Sequence, residues 1–205
     1  MIDKAFIDSH IEELIDCVNK ASKEIINVYE GDDFGHIEKS DGSPLTIADK
    51  NANQVILDEL KSISLDISII SEETFENNQL KNLDKTYWLV DPLDGTKEFI
   101  NKTDEFTVNI ALIDNKQAIF GIVAAPVTGK VWYGSVFDKN ITEEESIDKI
   151  RIVMSKSHKS ENDKAFLEFI DSKNINYEII EKGSSLKLCS LADNEADIYP
   201  RFGPT

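Results

Sequence analysis

The chain has 205 residues, enough for one sizeable domain or two small ones, and its 40% hydrophobic and 30% charged residues exclude a disordered chain, a collagen-like fibre and a disulfide scaffold. Its 22 basic and 39 acidic residues give a formal net charge of −17, which repels a phosphate backbone and argues against a nucleic-acid partner. A small phosphorylated ligand remains compatible with this charge, because a bound divalent cation reverses the field locally.

The two cysteines, Cys17 and Cys189, stand in neither a CxxC nor a zinc-binding spacing, so reduced thiols in a cytoplasmic protein are expected. The N-terminal residues lack the basic region and the apolar run of a signal peptide. No apolar stretch approaches the roughly 20 residues of a spanning helix, so no integral membrane segment is expected. Peripheral attachment at the inner membrane is left open.

The first half of the chain alternates between helical and strand-like patterns. Apolar residues at three- and four-residue steps predict a helix over residues 7–28, which Gly31 ends. A polar loop is expected over residues 31–44, a second helix over 46–63 and a short buried strand over 67–71. Residues 72–85 are polar and predict a loop.

The next segment predicts an antiparallel meander. A short strand over residues 87–91 is expected to break at Pro92 and Gly95. Strand-like runs joined by turn-rich connections then cover residues 106–113, 118–125 and 130–136. An acidic connector, residues 137–149, follows.

Beyond the connector, strand and helix patterns alternate over residues 152–155, 161–170, 177–180, 184–192 and 196–199. This change of pattern predicts an N-terminal α+β part, residues 1–140, and an incomplete C-terminal α/β part, residues 141–205.

The densest chemistry follows a buried strand, where Asp91 and Asp94 stand three residues apart on a predicted tight turn. Their carboxylates and the Leu93 carbonyl are hard oxygen donors of the kind that magnesium uses. Glu72 and Glu73 also follow a strand, so two strand ends finish in carboxylates. Like charges held this close are costly unless a cation neutralises them. Spacing alone leaves open a solvated turn with a helix-capping aspartate.

Residues 88–99, WLVDPLDGTKEF, resemble the first signature of the inositol monophosphatase superfamily, whose members are magnesium-dependent, lithium-sensitive phosphatases. The KEF continuation is most similar to the 3'(2'),5'-bisphosphate nucleotidase branch. Four further segments resemble the family in the same order: SPLTIAD (43–49), SEE (71–73), GSSLKLC (183–189) and ADIYPRFGP (196–204). The resemblance covers nearly the whole chain and implies a layered α/β (α+β) sandwich of the inositol monophosphatase, or sugar-phosphatase, type.

The resemblance implies two magnesium ions, or three in an intact family member. Glu72, Asp91 and the Leu93 carbonyl would hold the first ion, and Asp91 would bridge to a second ion that Asp94 also binds. Glu73 is assigned either an outer-shell or a structural role. The resemblance also assigns Glu72 a catalytic role. The resemblance also implies substrate contacts at Glu72, Leu93, Asp94, Gly95 and Thr96.

Thr96 and Asp49 resemble the family's water-activating pair, in which the threonine hydroxyl takes a proton from water and passes its own to the carboxylate. The residues themselves give Asp49 a second interpretation. Thr46 and Asp49 have the spacing of a capping box at the start of the second helix. Both roles are compatible, because a cap would hold the carboxylate rigidly.

By resemblance, His158, Ser184, Lys187 and Arg201 bind the nucleotide. Lys187 and Arg201 would contact the phosphate that is not cleaved, since arginine binds phosphate bidentately. Ser184 is expected to begin a helix, whose free N–H groups suit an anion. From the residues alone, each of the four is equally compatible with an ordinary surface or capping role. A buried charge pair between Arg201 and phosphate would be worth roughly 2–5 kcal/mol.

The family pattern continues into a WDxAAG motif whose aspartate is a further metal ligand, and this motif does not occur among the 205 residues. The fold is therefore expected to be C-terminally truncated. The 205 residues alone are expected to bind one metal weakly, to turn over slowly and to be less stable than a chain extended through that motif.

The implied function is magnesium-dependent hydrolysis of the 3'-phosphate of adenosine 3',5'-bisphosphate, giving AMP and phosphate, with the sulfated nucleotide as a second substrate. This reaction clears a by-product of sulfate activation. Two alternatives are kept: an inositol-phosphate or sugar-bisphosphate phosphatase, and a catalytically weak remnant that binds nucleotide or metal. The sequence does not determine an oligomeric state.

Overall fold

A computed structural model describes residues 2–31, 34–35, 37–38, 44–75, 84–138, 148–156 and 160–202. The chain divides into two compact units, Met1–Asn140 (unit 1) and Ile141–Thr205 (unit 2). In the described parts of both units, no helix is both long and apolar enough to cross a bilayer.

Unit 1 begins with two helices and a small hairpin. Helix α1 (Lys4–Tyr29) starts where the Asp3 carboxylate accepts the Phe6 N–H at 3.0 Å, and α2 (Ile47–Ile63) starts at Thr46 with a complete capping box. Between them, β1 (Ile37–Glu38) pairs antiparallel with β2 (Pro44–Leu45). The expected polar loop over residues 31–44 therefore contains strand structure, in segments too short to show a period.

The remaining elements of unit 1 form one five-stranded sheet. Its strands are β3 (Ser68–Ser71), β4 (Thr86–Asp94), β5 (Thr107–Asp114), β6 (Gln117–Ala125) and β7 (Lys130–Ser135). They lie in chain order; β3 pairs parallel with β4, and the other pairs are antiparallel. The predicted meander is confirmed. A 3-10 turn (Glu72–Thr74) follows β3, and helix α3 (Thr96–Ile100) follows β4. With five residues, α3 is too short for periodicity to reveal.

The core of unit 1 lies between one face of this sheet and the pair α1 and α2. Alternation along β4 buries Trp88 and Val90 in this core and leaves Leu89 exposed. Asp91, which follows Val90, is partly buried. The sequence pattern of β4 thus fixes which face each of its side chains occupies.

Unit 2 contains β8 (Ile150–Ser155), α4 (Glu161–Ser172), β9 (Tyr177–Lys182) and α5 (Leu186–Ala192). Strands β8 and β9 are parallel, and Ser160 with Asp163 closes a capping box on α4. The strand expected over residues 196–199 is reduced to one bridge between Ile152 and Ile198. The layered α/β class expected from the sequence is confirmed.

Candidate functional site

The parallel pairing of β3 with β4 brings two acidic residues together. Ser71 lies opposite Val90, so Glu72, just past the end of β3, comes beside Asp91, which lies within β4. Glu72 is exposed at the start of the 3-10 turn, and Asp91 is partly buried. This is the juxtaposition that the sequence predicted for a metal site.

The segment after Asp91 differs from the expected break. Strand β4 continues through Pro92 to Asp94, and the register shifts between Asp91 and Asp94, where Asp94 pairs with Thr107. A proline has no N–H to give to a ladder, and such an irregularity accommodates it. The chain turns at Gly95, whose φ of +92° lies in the left-handed region that favours glycine.

Asp91 lies close to three other carboxyl groups of unit 1, those of Asp94, Glu72 and Asp49. Burial, followed by the charges of Asp94 and Glu72, raises the pKa of Asp91 to about 8, and Asp49 adds a smaller effect. The Leu93 N–H, which donates to Asp91 Oδ1 at 3.2 Å, opposes this rise in pKa. A cavity of about 610 Å³ with mostly apolar lining borders Glu72 and Asp91.

The donor set fits a divalent cation in chemistry and charge. Glu72, Asp91, Asp94 and the Leu93 carbonyl are hard oxygen donors, and the raised pKa of Asp91 records a repulsion that a cation would relieve. Among the described residues, however, no group of three or more His, Cys, Asp or Glu side chains is arranged to hold a metal. The charges therefore lie near one another without a formed coordination shell.

Asp49 and Thr96 are joined in the way that the sequence suggested. Thr96 Oγ1 lies 3.3 Å from Asp49 Oδ1 and 3.2 Å from the Leu93 carbonyl. Asp49 Oδ2 accepts the Thr46 N–H at 2.7 Å and the Thr46 hydroxyl at 2.6 Å. The Asp49 side chain is 1% exposed. One carboxylate oxygen thus caps α2, while the other faces Thr96, the contact that a water-activating role would need.

Asn53, which sequence reasoning missed, fixes the other half of the site. Ser71 Oγ donates to Asn53 Oδ1 at 2.6 Å, and both side chains are buried. Asn53 lies one turn after Asp49 on α2, so one helix face supports both Thr96 and the residue before Glu72. The spacing of four residues between Asp49 and Asn53 places both on one face of a helix, and this was the signal that the sequence offered for Asn53.

Replacing Asn53 by alanine should therefore loosen the placement of Glu72. The buried Ser71 hydroxyl would lose its acceptor, at a cost of about 1–3 kcal/mol in the free energy of unfolding. We expect the magnesium concentration for half-maximal activity to rise, as measured by a metal titration. Gln54→Ala, which removes an exposed amide on the same helix, is the control. An unchanged magnesium requirement would restrict Asn53 to a role in stability.

In unit 2, Lys187 is 6% exposed and its Nζ donates to the Ser184 carbonyl at 2.6 Å. The expectation that Ser184 begins a helix is wrong. Helix α5 starts at Leu186 with Ser185 as its N-cap, and Ser184 has a φ of +44°. The Leu186 N–H donates to Ser184 Oγ at 3.4 Å, so this hydroxyl stabilises the turn before the helix.

Arg201 is exposed and donates through Nη1 to the hydroxyl of Tyr199 at 2.9 Å. Tyr199 is a second residue that sequence reasoning missed. His158, the fourth predicted nucleotide contact, lies outside the described residues. Ser184, Lys187, Tyr199 and Arg201 all belong to unit 2, whereas the acidic cluster and the Thr96–Asp49 pair belong to unit 1.

Comparisons with known proteins agree with the sequence resemblance. The chain is 38% identical over 205 residues to a 3'(2'),5'-bisphosphate nucleotidase CysQ of Escherichia coli strain K12, covering 95% of this chain and 81% of the relative. The CysQ of Buchnera aphidicola is 39% identical over 206 residues, covering 95% of this chain and 76% of that protein.

Solved structures show the same fold. The crystal structure of CysQ from Bacteroides thetaiotaomicron matches with a TM-score of 0.80 at 33% identity, covering 96% of this chain and 81% of that one. The extragenic suppressor protein SuhB from Bartonella henselae matches with a TM-score of 0.77 at 19% identity, covering 93% and 77%, and supports the fold alone. The profile of the inositol monophosphatase family matches residues 8–205. The chain therefore belongs to the inositol monophosphatase family, whose members are metal-dependent phosphatases.

Proposed function

We propose that this chain is a 3'(2'),5'-bisphosphate nucleotidase that hydrolyses the 3'-phosphate of adenosine 3',5'-bisphosphate to give AMP and phosphate. The observation that carries the proposal is the presence in unit 1 of an acidic cluster around Asp91 beside a fixed Thr96–Asp49 pair. The names of the CysQ relatives supply the nucleotide. The sulfated nucleotide is a second proposed substrate, and removal of a by-product of sulfate activation implies a cytoplasmic setting.

Glu72, Asp91, Asp94 and the Leu93 carbonyl would hold the magnesium ions, two of them in this proposal. When bound, magnesium would neutralise the charge that develops on the phosphoryl oxygens and on the leaving oxygen. The protein itself contributes position: β3 and β4 fix Glu72 beside Asp91, and Gly95 turns the chain so that Thr96 follows directly. Gly95 and Thr96 are then proposed contacts of the scissile phosphate.

The Thr96–Asp49 pair provides the proton path. Thr96 Oγ1 can accept a proton from the attacking water as it passes its own to Asp49 Oδ1, 3.3 Å away. Asp49 Oδ2 cannot rotate into this role because the backbone and hydroxyl of Thr46 hold it. The capping box thereby keeps one carboxylate oxygen directed at Thr96.

Ser184, Lys187 and Arg201, together with His158, are the proposed contacts of the rest of the nucleotide. Lys187 is 6% exposed, and the Ser184 carbonyl accepts one of its protons at 2.6 Å, which holds its ammonium group in place within unit 2. Two cationic side chains in unit 2 suit a second phosphate. This favours a bisphosphate nucleotide over an inositol monophosphate, the alternative substrate within the same chemistry.

Phosphate release from adenosine 3',5'-bisphosphate should require magnesium and be inhibited by lithium. The assay compares the chain in millimolar magnesium, in excess EDTA and after magnesium is restored, with inositol 1-phosphate in parallel. Undiminished turnover in EDTA would disprove metal dependence. Nucleotide binding without turnover would identify the chain as a catalytically weak remnant. Preference for inositol 1-phosphate would identify it as an inositol-phosphate phosphatase.

Arg201→Ala should weaken the recognition of the bisphosphate nucleotide more than that of inositol 1-phosphate. Because Arg201 is exposed, the expected loss of binding free energy is about 1.5–3 kcal/mol, the range for a hydrogen bond to a charged group. This range replaces the roughly 2–5 kcal/mol expected for a buried charge pair. Lys164→Ala, an exposed charge on α4, is the matched control in a comparison of kcat/KM. Equal losses on both substrates would assign Arg201 to the scissile phosphate or to structure.

A further inference from the structure

We propose that Tyr199 is a positioning residue that holds the cations Lys187 and Arg201 ready for the phosphate that is not cleaved. The inference rests on the proposed function, and it adds a residue to the nucleotide-binding set. It follows from three features of unit 2: the anchoring of the backbone before Tyr199, the two cations that contact its side chain, and the neutrality of that side chain.

The backbone before Tyr199 is anchored to β8. The Val153 N–H donates to the Ile198 carbonyl at 2.9 Å. The Asp197 carboxylate accepts the Arg151 N–H at 2.7 Å and contacts the Arg151 guanidinium at 2.7 Å. These bonds extend through Ile198, the residue directly before Tyr199, so Tyr199 begins from a fixed point.

The side chain of Tyr199 contacts a different cation at each end. Its hydroxyl accepts from Arg201 Nη1 at 2.9 Å, and Lys187 Nζ lies 5.9 Å from its ring centroid, within the range of a cation–π interaction. Lys187 Nζ also donates to the Ser184 carbonyl at 2.6 Å. Tyr199 thus contacts two of the predicted nucleotide contacts directly, and Lys187 links it to the carbonyl of a third, Ser184.

The chemistry of a tyrosine explains why it suits this place. A carboxylate would orient the two cations equally well but would neutralise them, as Asp197 does for Arg151. A phenol orients through its lone pair and its ring face and carries no charge, so it does not itself neutralise either cation. Fixing the exposed Arg201 in advance also lowers the entropy lost when it binds phosphate.

The test is Tyr199→Phe, which keeps the ring beside Lys187 and removes the partner of Arg201. The kcat/KM for adenosine 3',5'-bisphosphate is compared with that for adenosine 3'-monophosphate, which carries only the scissile phosphate. We expect the ratio to fall about threefold to tenfold, mainly through KM for the bisphosphate. In an Arg201→Ala background, the same change should alter the ratio by less than about twofold.

Tyr177→Phe is the control, since it removes a tyrosine hydroxyl in unit 2 at the far end of β9 from Ser184. Affinity for adenosine 5'-monophosphate, measured by calorimetry without magnesium, gives a readout independent of turnover. This affinity should fall in Tyr199→Phe and stay unchanged in Tyr177→Phe. Equal effects on both nucleotides, or full additivity with Arg201→Ala, would overturn the inference. A wild-type chain that binds this nucleotide but hydrolyses no bisphosphate would overturn the proposed function, and the affinities would still decide the role of Tyr199.

Discussion

Asp91→Asn should lower turnover by several powers of ten and yet stabilise the metal-free protein. The loss of activity is expected because Asp91 is the proposed bridge between metal ions. The gain in stability is expected because burial and the charges of Asp94 and Glu72 oppose ionisation of this carboxyl. Asparagine keeps an acceptor for the Leu93 N–H but removes the charge. Steady-state kinetics and thermal unfolding in EDTA measure the two effects.

The pH dependence of this effect has a definite sign. Because the folded-state pKa of Asp91 is raised to about 8, the native state binds a proton that the unfolded state has lost between about pH 4 and pH 8. The metal-free wild type should therefore lose stability as pH rises through this window. Since Asp91 is only partly buried, the expected change is about 1–3 kcal/mol. Asp91→Asn should abolish this contribution.

Asp66→Asn is the matched control, because it removes the same charge from an exposed turn. It should leave the pH dependence and the turnover unchanged. Magnesium should stabilise the wild type at pH 8 and have little effect on Asp91→Asn. Equal thermal stability of wild type and Asp91→Asn in EDTA at pH 8 would contradict the charge repulsion, whatever the kinetic result.

Thr96→Val should lower kcat by roughly 10²–10⁴-fold, because it removes the hydroxyl that relays the proton while keeping the shape of the side chain. Thr96→Ser keeps the hydroxyl and should retain most of the activity. Asp49→Asn should give a loss similar to that of Thr96→Val, and the double variant should be little worse than either single variant, since both act in one step. Single-turnover kinetics at saturating magnesium measure the chemical step.

The helix cap must be separated from the chemistry in this series. Asp49 also accepts two hydrogen bonds from Thr46, so Asp49→Asn can lower stability as well as activity. Thr46→Ala disturbs the cap but leaves Thr96 and Asp49 in place, and it should cost about 1 kcal/mol of stability with a much smaller kinetic effect. Full activity in Thr96→Val would show that this hydroxyl carries no proton in the reaction.

The sequence alone determined the long elements and the acidic strand ends. The apolar steps of α1 and α2, the alternation in the meander and the adjacent DPLDGT residues are local patterns, and each reports its own burial. The resemblance to the inositol monophosphatase family followed from the same local segments. Short elements left no such pattern, because β1, β2 and α3 contain too few residues to show a period. Pro92 predicted the end of a strand, but β4 continues past it with a shift in register.

Tertiary structure decided what depends on residues far apart in the chain. The sequence allowed Asp49 to be a cap, a catalytic base or both; the structure shows the cap and places Asp49 3.3 Å from Thr96, 47 residues later, as the proposed base requires. Asn53 and Ser71 meet because α2 packs against the end of β3, and Lys187 lies beside the Tyr199 ring because unit 2 brings these two residues together. The raised pKa of Asp91 arises likewise from burial, followed by the charge of Asp94 and that of Glu72, which the parallel pairing brings alongside it. The pattern within one segment does not show which other segment it meets, because only packing creates these contacts.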